Sequence, residues 1–507
     1  MPVVSRALAP DQVAAARRPR HDVVVEVEDG PDRYVAHQGP FVEYERTLVV
    51  TADGHGEETT RYQLAPLVWG PFPLLFRRAL HRPPAKHGHR AWWFPPETTD
   101  ARGATALGAL TLLAIVLGYV GSLLSQTITF AAEEFDASVG DQGATLAAVR
   151  VGVLGALALA ALADRRGRRQ VLVWVTATGC VLSAVSALAP GMVELGLVQS
   201  LVRGLATAGG ILLTIVAAEE MPSGSRAFGI SLLSVTGALG VGMVVAALPL
   251  ADMGERGWRL IYVVPLVFVP LIVRIGRILP ESRRFTVAHA DAGMAGHGRR
   301  FWLLAASAFL LALFTAPASQ LMNEFLRDER GFSAARISLF TILTNTPGGL
   351  GIVIGGRLAD TRGRRLVGAV GTVFGVGFTV AMVLSQGWPM WTLSMAGAVL
   401  GAMVVPALGV YGPELFPTSL RGKANGIITI VGVAGSVLGL LIAGILSDRW
   451  GSLGPALSVL AIGPLMMAVL VLVAYPETAH RELEDINPED QVPRAGAIPA
   501  PVAPPVD

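Results

Sequence analysis

Long apolar runs separated by short polar segments dominate the chain from Ala104 onward. About 20 apolar residues cross the hydrocarbon core of a bilayer as an α-helix, and most of the runs reach that length. The pattern therefore predicts twelve membrane-spanning helices. In chain order they cover residues 104–132, 138–163, 170–189, 192–219, 225–251, 258–279, 301–327, 333–359, 365–385, 388–412, 424–447 and 452–475.

The first 103 residues follow a different pattern. Residues 22–28, 41–51 and 57–65 alternate between apolar and polar positions as half-buried strands do, with Gly/Asp turns between them. Residues 67–82 then carry apolar and basic side chains at helical spacing. The pattern predicts a small α+β region, which we interpret as a structured appendage rather than a complete ligand-binding domain.

Composition agrees with a membrane protein. Of the 507 residues 52% are hydrophobic and only 15% are charged, whereas about a quarter of the residues in soluble domains are charged. The lipid bilayer is therefore the expected surrounding. The net charge of +2 gives no reason to expect a nucleic-acid partner.

Basic residues are distributed unevenly between the two sets of loops. With the N-terminus inside, the five inner loops hold fourteen Lys/Arg and the six outer loops hold six. Cytoplasmic loops carry such an excess, so both termini are predicted to be cytoplasmic and the protein to lie in the plasma (inner) membrane. The predicted fold is all-α, with twelve transmembrane helices in two six-helix bundles, 104–279 and 301–475. The remaining predicted regions are a cytoplasmic α+β extension (1–103), a linker (280–300) and a disordered tail (476–507).

Short motifs occur twice, once in each predicted bundle. The run Asp-Arg-Arg-Gly-Arg-Arg at 164–169 returns 196 residues later as Asp-Thr-Arg-Gly-Arg-Arg at 360–365. A Glu-x-x-Pro-x-x-x-Arg motif starts at Glu219 and again 195 residues later at Glu414. A duplicated block of membrane helices explains these repeats, and many secondary transporters are built from such duplicated halves.

With these motifs the segment 104–480 resembles the major facilitator superfamily. The family signature Gly-x-Leu-x-Asp-Arg-x-Gly-Arg-Arg stands here at 160–169 with alanine in the first position, and its second copy begins at Gly356. We expect that alanine to loosen the close packing of helices at this point. Pro-Glu-Ser at 280–282 and Pro-Glu-Thr at 476–478 look like the sugar-porter and metabolite:proton symporter branches.

The resemblance implies a secondary transporter in which the repeated loops hold the cytoplasmic ends of the two bundles together. An aspartate beside a glycine turn and a group of arginines can accept charge-assisted hydrogen bonds. The alternative, that the arginines only set the topology, explains the charge but not the repeated Asp and Gly. The predicted gate residues are Asp164, Arg165, Gly167, Arg168, Asp360, Gly363, Arg364, Glu219, Arg226, Glu414 and Arg421.

One arginine lies deep inside a predicted span. Arg203 is about 16 Å into the fourth span at 1.5 Å per residue, near the midplane, where ionisable side chains are costly and usually functional. In sugar porters a Gly-Tyr-Asp run in the first span supplies its carboxylate partner, but here Val120 stands in place of the aspartate. Arg203 therefore either receives an anionic substrate or has a structural role.

The first, fourth, seventh and tenth spans line the substrate cavity in this family. The predicted cavity residues are accordingly Tyr119, Gln126, Arg203, Gln320, Asn323 and Tyr411. Each of them is also a candidate for a hydrogen bond between helices. The acidic residues that could replace the missing aspartate in proton coupling are Glu133, Glu134, Asp141 and Glu324.

Other functions lack their sequence signatures. The chain contains no phosphate-binding Gly-x-x-x-x-Gly-Lys-Ser/Thr loop, no Gly-x-Ser-x-Gly elbow and no zinc-ligand cluster. We expect no enzymatic activity, no cofactor and no metal. The leading hypothesis is a monomeric secondary transporter that moves a small organic solute, an organic anion or a sugar-like metabolite, by proton-coupled symport. Proton-coupled efflux of a toxic compound, or a membrane sensor using residues 1–103, are the alternatives.

Overall fold

The membrane part of the protein consists of helices in the predicted order. The computed structural model describes residues 1–83, 90–91, 93–137, 145, 148–149, 152–283, 296–322, 325–332 and 334–490. Within these ranges eleven helices are long and apolar enough to cross a membrane. The helix Val153–Arg166 lies within the predicted second span, so the order of the helices agrees with the twelve-span fold.

The first bundle contains spans 1 to 6. Spans 1, 3, 4 and 5 are the helices Ala101–Glu134, Arg168–Ser186, Met192–Glu220 and Arg226–Ala247, and the described part of span 2 contains the helix Val153–Arg166. Span 6 consists of the helices Trp258–Val263 and Val269–Ile278, joined by a 3-10 segment that contains Pro265. A proline inside a helix removes one backbone hydrogen bond and interrupts the regular helix.

The second bundle contains spans 7 to 12, and several of these are interrupted. Spans 7, 9 and 11 are the helices Gly298–Gln320, Arg364–Leu384 and Arg421–Trp450. Span 8 is formed by Ala334–Asn345 and Gly348–Arg362, span 10 by Trp388–Ala402, Val404–Gly409 and Tyr411–Glu414, and span 12 by Leu453–Leu460 and Ile462–Ala474. Pro347 separates the two helices of span 8.

The two bundles contact each other through four spans in particular. Span 2 packs against span 11, and span 5 packs against span 8. The repeated loops lie at one end of these contacts, and we call this end of the molecule the motif side. The geometry of the candidate gate is therefore set where spans 2, 5, 8 and 11 cross.

The N-terminal region is a small α+β domain. Its five antiparallel strands are β1 (Val3–Leu8), β2 (Val25–Glu28), β3 (Arg33–Gln38), β4 (Phe41–Val50) and β5 (Gly56–Leu64), in the sheet order β1-β5-β4-β3-β2. Its helices are α1 (Pro10–Ala16) and α2 (Phe72–Leu80). The sequence predicted β2, β4, β5 and α2, and it missed β1, β3 and α1.

A buried ion pair stabilises the interior of this domain. Arg46, on the inner face of β4, is fully buried, and its Nε and Nη2 donate to the Glu26 carboxylate at 2.8 and 2.6 Å. The Tyr44 hydroxyl donates to the same carboxylate at 2.6 Å. A buried charge is tolerated only when it is paired and hydrogen-bonded in this way.

The start of the C-terminal tail is ordered. The short helix Leu483–Ile486 follows span 12, and Asp490 is only 3% exposed. The prediction of disorder from residue 476 onward is therefore wrong as far as Asp490. Residues 491–507 lie outside the described part.

Candidate functional site

The candidate gate contains two equivalent turns between neighbouring spans. Gly167 and Gly363 have φ of 106° and 102° and separate span 2 from span 3 and span 8 from span 9. Only glycine adopts this backbone conformation without strain. Each following helix begins with two backbone N–H groups that donate to one carboxylate, Glu281 in the first bundle and Glu477 in the second. This contact explains why the Pro-Glu-Ser/Thr motif is repeated, a role that the sequence prediction missed.

The first group of buried charges on the motif side is the Glu219 cluster, which we define as Asp164, Arg168, Glu219 and Arg421. The Glu219 carboxylate contacts the guanidinium of Arg168 from its own bundle and that of Arg421 from the other bundle. Asp164 accepts a hydrogen bond from Arg168 at 3.3 Å and one from the backbone N–H of Gly422, on span 11, at 3.0 Å. Both contacts to span 11 tie the first bundle to the second.

The second group is the Glu414 cluster, which we define as Asp360, Arg364, Glu414 and Arg226. Glu414 contacts Arg364 from its own bundle and Arg226 from the other, the latter at 3.2 Å. Asp360 accepts from Arg364 at 3.1 Å and from the backbone N–H groups of Ala227 and Phe228, on span 5, at 3.3 and 3.0 Å. The second cluster thus repeats the first with the roles of the bundles exchanged.

The two Glu-x-x-Pro-x-x-x-Arg loops exchange partners. Glu219 pairs with Arg421 of the other loop, and Glu414 pairs with Arg226. Removing one partner of such a buried pair typically costs about 3–5 kcal/mol, because the other charge is left uncompensated. The structure therefore closes the motif side with two reciprocal charge pairs. Arg165, also predicted for the gate, has an exposed side chain and belongs to neither cluster.

Each crossing of spans beside these clusters contains one glycine. At the span 8–span 5 crossing a Cβ on Gly356 would lie 2.8 Å from the carbonyl oxygen of Ala227. At the span 2–span 11 crossing a Cβ on Gly422 would lie 2.6 Å from the carbonyl oxygen of Ala160. The glycine missing from the first signature copy is thus supplied by the opposing helix. The expectation that Ala160 loosens this crossing is wrong.

Asp490 is a further member of the gate that sequence reasoning missed. Its carboxylate accepts from the backbone N–H and the hydroxyl of Thr418, each at 2.9 Å, and from Arg421 at 3.1 Å. The ordered tail therefore contributes a second carboxylate to Arg421. No repeated motif marks this residue, because its counterpart in the first bundle would fall in the linker.

Arg203 lies on the inner face of span 4. Val193, Leu197 and Leu201 are 71%, 65% and 61% exposed and mark the outer face of this helix. Arg203 is rotated by roughly 200° from Leu201 at 100° per residue, and its side chain is also exposed. It therefore lies on the face of span 4 turned away from the outer one, and its Nη1 donates to the Gly121 carbonyl of span 1 at 3.2 Å.

The second bundle has a cavity of about 480 Å³ between spans 7, 9, 10, 11 and 12. Its walls are mainly apolar and include Phe314, Gly371, Gly375, Gly401 and Asn425. Ligand pockets have volumes of roughly 300–1,000 Å³ and are mostly apolar, so this cavity is large enough for a small organic molecule.

The structure places the other predicted cavity residues differently. Tyr119 is 1% exposed and its hydroxyl donates to the Ile261 carbonyl, while Tyr411 is fully buried and its hydroxyl donates to the Pro476 carbonyl, both at 3.0 Å. Both tyrosines pack inside their own bundles, so the prediction that they line the cavity disagrees with this structure. Gln126 is half-buried on span 1. Asn323 and the side chain of Gln320 lie outside the described residues.

Among the predicted coupling residues, Glu134 is engaged in hydrogen bonds within the first bundle. It accepts hydrogen bonds from Trp258 Nε1 at 2.8 Å and from Arg259 Nε at 2.9 Å. Glu134 is therefore held by residues of its own bundle, whereas Glu133 is exposed. Asp141 and Glu324 lie outside the described residues.

Two repeated helical bundles joined by reciprocal charge clusters define a twelve-span membrane transporter. The sequence model described as "Sugar (and other) transporter" matches residues 104–297, and that of the Major Facilitator Superfamily matches residues 304–504. The chain belongs to the major facilitator superfamily, whose members are transporters and not enzymes.

Similar proteins agree with this assignment. A putative metabolite transport protein of Haemophilus influenzae is 28% identical, over 66% of this chain and 86% of its own length. The gallate transporter of Pseudomonas putida is 27% identical, over 71% of this chain and 85% of its own length. Among solved structures, the proton:xylose symporter XylE bound to 6-bromo-6-deoxy-D-glucose superimposes with a TM-score of 0.65 at 18% identity, covering 77% of this chain and 99% of that one.

Proposed function

We propose that the protein moves a small organic anion across the plasma (inner) membrane by alternating access, in symport with protons. The position of Arg203 carries this proposal. We infer that its exposed side chain opens on a cleft between the bundles. A permanent positive charge there, about halfway through span 4, favours a carboxylate over a neutral solute.

We infer that the substrate occupies the cavity in the second bundle and reaches Arg203 of the first bundle. Its apolar walls suit the carbon skeleton of a small solute, while Arg203 suits a carboxylate. An aromatic or aliphatic acid combines both properties, and gallate, which the Pseudomonas putida relative transports, is a compound of this kind. We infer that the substrate is an organic acid rather than an unmodified sugar.

The gate clusters support alternating access. The excess of basic residues in the inner loops favours a cytoplasmic motif side. Because both clusters close that side, we infer that the structure corresponds to an outward-facing state. Rocking of one bundle against the other requires the Glu219–Arg421 and Glu414–Arg226 pairs to separate.

Proton coupling follows from the energetics of anion uptake. Moving one negative charge into a cell against an inside-negative potential costs about 2.3 kcal/mol per 100 mV. Protons that enter together with the anion remove this cost. Of the predicted coupling residues that the structure describes, Glu133 is the candidate for carrying a proton, because its side chain is exposed.

Flux into proteoliposomes tests the proposal. We expect uptake of gallate, accompanied by proton entry, and little uptake of xylose. Arg203→Gln should reduce gallate uptake at least about tenfold, the loss expected from removing one charge-assisted hydrogen bond. Leu201→Ala, on the outer face of the same helix, is the matched control and should transport normally. Uptake of xylose in preference to several organic acids, or normal acid uptake by Arg203→Gln, would refute the anion proposal.

Reporter fusions test the orientation. We expect reporters attached at the N-terminus and at the C-terminus both to report the cytoplasm. A periplasmic signal from either end would contradict the proposed direction of the gate.

A further inference from the structure

The segment that connects the N-terminal domain to span 1 contacts both bundles on the motif side. We call residues 93–100 with Ala91 the connector. Its Glu97 binds the turn Ser223–Ser225 that precedes span 5: the carboxylate accepts the Gly224 N–H at 2.8 Å, and the Glu97 N–H donates to the Ser225 hydroxyl at 2.8 Å. That hydroxyl in turn donates to the Glu97 carbonyl at 3.0 Å. Ser225 is fully buried, so this joint is a well-packed one.

Another contact of the connector reaches the second bundle. Arg357, on span 8, donates from Nη1 to the carbonyl oxygens of Phe94 at 2.6 Å and of Ala91 at 3.3 Å. Phe94 itself is 1% exposed and packs in the core of the N-terminal domain against Phe76. Arg357 therefore binds a backbone segment whose position is fixed by the packing of Phe94 in the N-terminal domain.

The N-terminal domain is in turn fixed to the first bundle. The indole N–H of Trp69 donates to the Thr111 hydroxyl of span 1 at 2.9 Å. Beside it, span 1 approaches the domain so closely that a Cβ on Gly108 would lie 2.1 Å from the Leu67 carbonyl oxygen. The domain thus moves with the first bundle, and Arg357 links it to the second.

We propose that the connector is a strap that holds the motif side closed, with the N-terminal domain as its anchor. Span 5 begins directly after the turn bound by Glu97, and span 8 carries both Arg357 and, one turn further on, Asp360 of the Glu414 cluster. Opening the motif side separates span 5 from span 8 and so breaks a contact at one end of the strap. The strap stabilises one conformation without touching the substrate, and it rests on the alternating-access part of the proposed function.

Because the strap is anchored in a domain that is not itself a membrane span, the contacts of that domain can change the strength of the strap. A change that loosens the N-terminal domain from span 1, or displaces Phe94 from its core, weakens the grip of Arg357 on the connector. The domain therefore sets the balance between the motif-side-closed and motif-side-open states, a regulatory role that transport itself does not require.

Distance measurements between spin labels test the strap without any transported substrate. Cys180 is the only cysteine, so a Cys180→Ser background accepts labels at Gln170→Cys and Leu366→Cys. These two positions are exposed and equivalent, at the motif-side ends of spans 3 and 9. In the full-length protein, Arg357→Ala should raise the ratio of the long-distance to the short-distance population about tenfold, the effect of losing a charged hydrogen bond. Arg362→Ala, an exposed arginine on the same helix, is the matched control and should leave the ratio unchanged.

A second variant covers the case in which Arg357→Ala fails to fold. Glu97→Ala weakens the same strap at its joint with the first bundle, so it should shift the populations in the same direction, but less than Arg357→Ala because the N-terminal domain still holds Phe94. The strap is refuted if Arg357→Ala and Glu97→Ala both leave the distances unchanged while Asp360→Asn lengthens them. If Asp360→Asn also has no effect, the alternating-access proposal fails together with the strap.

Discussion

The Glu219 and Glu414 clusters have the same arrangement of charges in the two halves of the chain, yet their arginines have different additional partners. In both, a central glutamate bridges an arginine of its own bundle and an arginine of the other. The Glu219 cluster has in addition the buried carboxylate of Asp490 on Arg421. In the Glu414 cluster the corresponding arginine, Arg226, has Glu482 at 3.5 Å, whose side chain is 56% exposed.

This difference changes the charge balance of the two clusters. With Asp490, the Glu219 cluster holds three carboxylates and two guanidinium groups. The Glu414 cluster holds two of each, with Glu482 at its solvent-exposed edge. A buried arginine is costly when its partner is removed, so the Glu414 cluster depends on its central glutamate more than the Glu219 cluster does. The two clusters thus share the geometry of their central glutamates, and Asp490 of the C-terminal tail adds a carboxylate to the Glu219 cluster.

The largest expected effect is that of removing the central carboxylates. Among the described residues, Glu414→Gln leaves Arg226 with the exposed Glu482 as its remaining carboxylate partner and should destabilise the motif-side-closed state by about 3–5 kcal/mol. Glu219→Gln should cost less, because Arg421 keeps Asp490 and Arg168 keeps Asp164. Spin-label distances between Gln170→Cys and Leu366→Cys, together with uptake rates at equal membrane abundance, measure both. Equal effects of the two substitutions, or a larger effect of Glu219→Gln, would contradict the claim that the Glu414 cluster depends more on its central glutamate.

The signature aspartates should follow with a smaller effect. Asp164→Asn and Asp360→Asn keep the side-chain shape but remove the charge that faces the arginine and the opposing helix. Each should impair transport while leaving membrane insertion intact, at a cost of about 1.5–3 kcal/mol to the closed state. Asp360→Asn should be the more severe because Asp360 accepts two backbone N–H groups from span 5. Wild-type transport rates in both variants would indicate that these loops only set the membrane topology.

The crossing glycines provide an independent comparison of the two halves. Gly356→Ala should crowd the Ala227 carbonyl and weaken the closed state by about 1–3 kcal/mol, a typical cost of overpacking. Gly422→Ala directs its new Cβ at the Ala160 carbonyl in the same way and should cost a similar amount. Normal transport and label distances in Gly422→Ala, with Gly356→Ala impaired, would show that the two crossings are not equivalent.

The smallest effect is expected for the tail. Asp490→Asn should weaken only the Glu219 cluster, by about 1 kcal/mol, because Arg421 retains Glu219. Glu482→Gln is the matched control on the exposed side and should change neither transport nor the label distances. A strong effect of Glu482→Gln would contradict the assignment of the two clusters.

The sequence predicted the spans and the equivalence of the two halves because both depend on local patterns. Runs of apolar residues determine where a helix can cross the bilayer, and a constant offset of 196 residues relates Asp164 to Asp360. The offset does not reveal contacts. That Glu219 pairs with Arg421 rather than with Arg226 depends on how the two bundles meet, which no local pattern specifies.

Two kinds of residue escaped prediction for physical reasons. Tyr119 and Tyr411 were assigned to the wrong surface because spans that are apolar on all sides give no clear indication of their rotation. Asp490 was missed because the polar stretch after span 12 has the composition of a disordered tail. Its order arises from contacts with Thr418 and Arg421, which are distant in the sequence.

The central claim is that the bundles are closed on the motif side by pairs exchanged between them. A double-mutant cycle on Glu414 and Arg226, read out by the label distance between Gln170→Cys and Leu366→Cys, tests it most directly. The account predicts that Glu414→Gln and Arg226→Gln each shift the population toward the longer distance, and that the double variant shifts it by much less than the sum of the two. Fully additive shifts, or an unchanged distance in both single variants, would contradict the claim.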